Sequence, residues 1–332
     1  MSDVERDRPA RGVTIPADLV DHDRLEEDLT LLTELGVEEV TVGLDWPRLQ
    51  PRPGGLHGDA VERYLGALRT GRALGLTVRL GLLERSVPAW FDDEGGFADD
   101  RFALHHWPRW VEACADTFGD DVGGWVPIDH PLGLANALVR DDPRRHGEVL
   151  DTIVTAWRDA WRILRGGPPV VTAFGVEVVR PVDQTVQAAA AARRMDQLRW
   201  RLWFRALHDG IVSIPGRADR EVADLAGSCD VVGVVVRHEA DVLGLLLRTA
   251  EMSPERPLAV TLLLPDGLDK DREPAVERYL AGTGEAAVEV DLATVAVNPA
   301  FDPTASGRPA RGIITRDREL KDSGRRFLGI EG

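Results

Sequence analysis

Short apolar runs alternate along nearly the whole chain with longer stretches whose apolar residues recur every three or four positions, and this alternation restricts the fold more than any other feature. Runs at 13–15, 39–44, 77–83, 125–128, 170–179, 230–236 and 257–264 read as strands, with further short runs at 286–290 and 312–316. Between them, 21–35, 59–74, 101–118, 147–165, 184–209, 241–249 and 271–282 have helical periodicity. Strands separated by helices predict a parallel sheet with right-handed crossovers. Over 332 residues the expected closure is an α/β fold, a single-domain (β/α)8 TIM barrel spanning 13–332. The charged, proline-containing residues 1–12 are expected to form a mobile tail. An open doubly wound sheet is the competing architecture, but no glycine-rich phosphate loop follows the first strand.

Charge narrows the partners. Asp and Glu total 56 against 40 Lys and Arg, a net charge of −16, which repels phosphate backbones and anionic lipid. No run approaches the roughly 20 apolar residues of a membrane span, and Met1–Arg11 carries no apolar signal core. The expectation is a cytoplasmic protein without nucleic-acid or membrane partners, its Cys114 and Cys229 buried thiols. Protein partners and homo-oligomers stay open.

Several segments, in order, resemble glycoside hydrolase family 1, the β-glucosidase-like barrels. Asp21-His-Asp-Arg-Leu-Glu-Glu-Asp28 resembles that family's D-H-x-x-R-x-x-E-D, and Leu44-Asp45-Trp46-Pro-Arg48 resembles the end of its second strand. The stretch from Gly75 through Pro88-Ala-Trp90 resembles the third strand and its sequel, and Phe118 through Trp125 the approach to the fourth. Asp230-Val-Val-Gly233, Arg311 to Asp317 and Lys321 to Arg326 resemble later family segments. The resemblance spans roughly 13–328 and implies the barrel fold, with shortened loops such as 132–147.

The resemblance does not carry the family's chemistry with it. A retaining glycosidase needs two carboxylic acids facing across the sugar, one to protonate the leaving oxygen and one to attack the anomeric carbon. His130 in Pro127-Ile-Asp129-His130-Pro131 aligns with the family's acid/base glutamate, and Leu262 with its nucleophile. Thr41 and Glu84 align with the family's strand-two arginine and its sugar-binding histidine. The resemblance therefore implies a degenerate member, a pseudoenzyme binding a small molecule or protein partner at the C-terminal mouth.

Two enzymatic alternatives remain at this stage. In one, His130 and Asp129 act as acid/base on a ring-containing metabolite, with Glu84 orienting the imidazole. In the other, an atypical glycosidase pairs Glu84 or Asp129 with Glu177. Trp46, Glu177, Arg237 and His238 are the candidate ligand-binding residues, Trp46 by ring stacking and Arg237 and His238 by anion binding. No H-x-H, H-x-x-x-H or paired-carboxylate spacing marks a metal site, and no cofactor is expected.

Overall fold

Along the second strand Val40 and Val42 join the apolar layer under the helices, while Glu39 and Thr41 face the interior. This period-two division is repeated in eight parallel strands of the computed structural model, which describes residues 8–140, 142–237, 241–303 and 309–330. They are β1 (Ala10–Ile15), β2 (Glu39–Gly43), β3 (Thr77–Gly81), β4 (Gly124–Val126), β5 (Phe174–Gly175), β6 (Val232–Arg237), β7 (Leu258–Leu263) and β8 (Leu292–Asn298). The sheet runs β4-β3-β2-β1-β8-β7-β6-β5. Residues just before β5 close it: Trp125 N donates to Pro169 O and Val171 N to Trp125 O, each at 2.8 Å, while Val171 bridges to Val231 beside β6. The result is the expected barrel.

The helices around it include α1 (Leu25–Glu34), α2 (Gly58–Ala73), α3 (Asp100–Phe118), α4 (His146–Leu164), α5 (Leu202–Asp209), α6 (Val242–Met252), α7 (Asp269–Ala286) and α8 (Asp322–Leu328). Asp99 and Asp241 cap α3 and α6 by accepting from Phe102 N and Gly244 N. The segment Asp21–Asp28 fastens the beginning of the barrel to its end. Buried Asp28 accepts from Arg318 at 2.8 and 3.1 Å, Asp21 lies 3.5 Å from the same guanidinium, and Phe301 lies beneath it. No helix among the described residues is long and apolar enough to cross a membrane.

Three expectations are corrected. β1 begins at Ala10, three residues before the predicted run. The run at 286–290 is not a strand, because α7 continues to Ala286, and the eighth strand is Leu292–Asn298. Residues 312–316 contribute isolated bridges from Ile314 to Phe301 and Leu320.

The interior is lined by small residues. Gly12, Gly81, Ala173, Gly233, Ala259 and Ala296 leave an axial cavity of about 50 Å³, where barrels of this kind are usually filled by bulky branched side chains. Gly233 has no room for a side chain, since a Cβ there would lie 1.9 Å from Thr172 O. At the N-terminal end the cavity meets a polar plug in which Arg79 contacts Glu39 at 2.8 Å and Thr294 Oγ1 donates to Glu39 at 2.6 Å.

Candidate functional site

Backbone pairing continues past the ends of β3 and β4. Leu82 N donates to Val126 O at 2.9 Å and Asp129 N to Leu83 O at 2.8 Å, so Glu84 and Asp129 emerge side by side at the C-terminal end of the axial cavity and both line it. Glu84 reaches across the mouth rather than toward β4. Its Oε2 accepts from Ala17 N, just beyond β1, at 3.0 Å. Its Oε1 lies over the end of β2, 2.3 Å from where a Cβ on Gly43 would stand.

The environment raises the pKa of both carboxyls. Burial, the charge of Asp129 and a smaller contribution from Asp18 push Glu84 up from an ordinary 4.5 to about 8, against the Ala17 bond and Arg85. Burial likewise raises Asp129, opposed by His130 and Arg85. The two titrate as a pair. At neutral pH the mouth therefore presents a largely protonated acid that can donate a hydrogen bond.

Gly43 is the structural condition for this arrangement. Gly43→Ala would put a methyl 2.3 Å from Glu84 Oε1 and 2.5 Å from Ala17 N, forcing the carboxyl off Ala17. We expect a loss of about 1–3 kcal/mol, the usual cost of overpacking, read by urea denaturation. Unchanged stability would mean that Glu84 is not held there.

His130 does not join Glu84. It adopts a left-handed backbone conformation (φ 49°) ahead of the helix Pro131–Leu138, and its N–H donates to Ala173 O at 3.0 Å. The imidazole lies over Gly175 of β5, where an added Cβ would come within 2.5 Å of its ring. Asp129 feels its charge, but the expected orientation of the imidazole by Glu84 is not formed; Glu84 is committed to Ala17.

The remaining candidates disperse. Trp46 is fully buried, stacked on Trp110 at 5.0 Å and packed against Phe91 and Trp107, with Nε1 donating to Gln50 Oε1 at 2.9 Å. It is a core residue, and the expectation of ligand stacking is corrected. Glu177 pairs with Arg199 at 2.6 Å and does not line the axial cavity, so the structure does not bring it to Glu84 and Asp129. Arg237 is exposed at the end of β6, its charge opposing that of Arg199. His238 lies outside the described residues. Asp45, also at the rim, is occupied in capping the helix Trp46–Leu49 through Arg48 N and in contacting His22.

Leu262 lies in the apolar layer outside the barrel, whereas Ala259 and Thr261 of the same strand line the interior. By alternation the inward positions of β7 are Ala259, Thr261 and Leu263, so β7 offers no carboxylate in either register. Among the described residues Asp269, Glu273 and Asp322 place ligand atoms within 4.8 Å of one another, but Asp269 is already taken by Ser323 and Arg272. Sequence reasoning missed Gly43 and the Ala17 amide. Only Gly43, a glycine ending a strand, gave any local signal.

This barrel, with a polar mouth at the C-terminal ends of its strands, has the architecture of the glycosidase barrels. Glycosyl hydrolase family 1 matches residues 13–138. A family 1 β-glucosidase from Thermotoga maritima superposes with a TM-score of 0.80 at 17% identity, covering 93% of this chain and 86% of that one. A β-glycosidase from Pyrococcus horikoshii gives 0.79 at 17%, covering 93% and 84%. Among curated proteins, a benzoxazinyl glucoside β-glucosidase of Zea mays is 26% identical over 110 residues, 31% of this chain and 20% of its own length. Myrosinase 2 of Arabidopsis thaliana is 26% identical over 211 residues, 54% and 38% respectively. The chain thus spans well under half the length of these curated relatives. Its fold is that of a family 1 glycosyl hydrolase.

Proposed function

We propose that this barrel has lost retaining glycoside hydrolysis and instead binds a small molecule at its C-terminal mouth. The observation carrying this reading is the placement of the carboxyls. Glu84 and Asp129 come from adjacent strands, and β7 places Ala259, Thr261 and Leu263 where an acid facing them would be required. An aliphatic wall cannot form a glycosyl ester. The axial cavity of about 50 Å³ is also far below the roughly 300 Å³ at which ligand pockets begin, so a ligand would rest above it on Glu84 and Asp129.

Thermal melting against sugars, glycosides and aromatic metabolites tests the proposal. A ligand that binds the mouth at a hundredfold excess over Kd adds about 2.7 kcal/mol; the resulting shift in Tm should disappear in Asp129→Asn. A wild-type shift that survives in Asp129→Asn, or none with any compound, would contradict it and turn attention to a protein partner.

One observation favours a second reading, an enzyme of another class in which Asp129 and His130 serve with Glu84 on a ring-containing metabolite. Glu84, protonated near neutral pH, suits a general acid. In that case turnover of the bound compound would fall as pH rises through about 8.

A further inference from the structure

Beside the barrel axis lies a second cavity of about 370 Å³, between residues 85–97 after β3 and the helix Pro131–Leu138 after β4. It shares no lining residue with the axial cavity. Its size falls within the range of small-molecule pockets. Buried Phe91, Phe97 and Leu134 form an apolar floor, while exposed Arg85 and Asp92 stand on the wall.

Other arginines around the barrel hold carboxylate partners, as in the pairs of Arg199 with Glu177 and Arg318 with Asp28. Neither the Arg85 guanidinium nor the Asp92 carboxylate forms an ion pair or side-chain hydrogen bond among the described residues, and they do not pair with each other. Arg85 acts through space on Glu84 and Asp129, but it is not bonded to either. One cavity thus combines an apolar floor, an unmet cation and an unmet anion.

We propose that this off-axis cavity is a binding site for a free amino acid with an apolar side chain. The side chain would lie on Phe91, Phe97 and Leu134, the carboxylate would take the Arg85 fork, and the ammonium would meet Asp92. A zwitterion satisfies both charges at once, whereas a simple carboxylate would face Asp92 and a simple amine would face Arg85. The site lies outside the mouth and stands whether or not the mouth binds a ligand.

Calorimetric titration of the full chain with L-phenylalanine, phenylacetate and phenethylamine tests this. L-phenylalanine should bind, and the two single-charge analogues at least tenfold more weakly. Arg85→Gln and Asp92→Asn should each weaken L-phenylalanine at least tenfold, and Asp92→Asn should do so with Tm unchanged, since its side chain is exposed and unpaired. Leu134→Trp, filling the floor, should abolish the heat. Absence of binding by wild type at millimolar L-phenylalanine would overturn the proposal, as would equal binding of phenylacetate or undiminished binding by both charge variants.

Discussion

Glu84→Gln will remove much of the fall in stability that the protein undergoes between about pH 4.5 and 8. The direction follows from where the proton is held. An unfolded chain releases the Glu84 proton near 4.5, whereas the folded chain keeps it until about 8. Between those values the native state binds the extra proton, so wild-type stability falls as pH rises, by at most about 1.4 kcal/mol per pH unit. The contribution is whole below pH 4.5 and gone above about 8. Glutamine does not titrate and can still accept from Ala17 N through its carbonyl oxygen, so the variant gains on the wild type as pH increases. Urea denaturation at pH 5 and 8 reads the difference directly: the variant should be the more stable protein at pH 8 relative to wild type than at pH 5. Parallel pH dependence in the two proteins would show that Glu84 is an ordinary ionised carboxylate.

Trp46→Ala will cost about 3–5 kcal/mol, the range for emptying a large aromatic site. The indole has no exposed surface, lies nearly parallel to Trp110 (14°) and is wedged against Phe91 and Trp107. Its loss also strands Gln50, which accepts from Trp46 Nε1 while its amide donates to Gly54 O. Because Trp90 Nε1 donates to Gln50 O, the loosening should reach the loop after β3. Trp46→Phe, keeping a ring but not the N–H, should lose less. Chemical denaturation and near-ultraviolet circular dichroism report both effects. A Trp46→Ala protein of normal stability with weakened ligand binding would restore the stacking role that burial removes.

The barrel was legible because its evidence is distributed: each strand and helix announces itself locally, and the order of eight such units admits few closures. The eighth strand is hard to place from sequence for a physical reason. Gly282 and Gly284 are poor helix formers, but α7 continues through them because Gly282 serves close packing, with an added Cβ coming 3.0 Å from Val242 Cβ on α6. The alternating Ala287-Val-Glu-Val290 that follows has the period of a strand, yet the strand is the better-buried Leu292–Asn298.

The site was legible only as positions. Sequence placed Glu84 and Asp129 at the mouth, but the direction of Glu84 is set by an amide 67 residues away and by the missing Cβ of Gly43. The left-handed turn at His130 and the pairing of Glu177 with Arg199 are likewise products of the assembled fold. The cavity beside Arg85 draws its walls from separate loops, and no single stretch of sequence encodes it.

The proposed loss of retaining hydrolysis implies that no carboxylate at the mouth becomes a glycosyl ester. Intact-mass measurement after prolonged incubation with a 2-deoxy-2-fluoro-glucosyl fluoride tests it most directly, because such compounds trap the covalent intermediate of retaining hydrolysis. The expected result is an unchanged mass. An added glycosyl unit, mapped to Glu84, Asp129 or any other acid at the mouth, would contradict it.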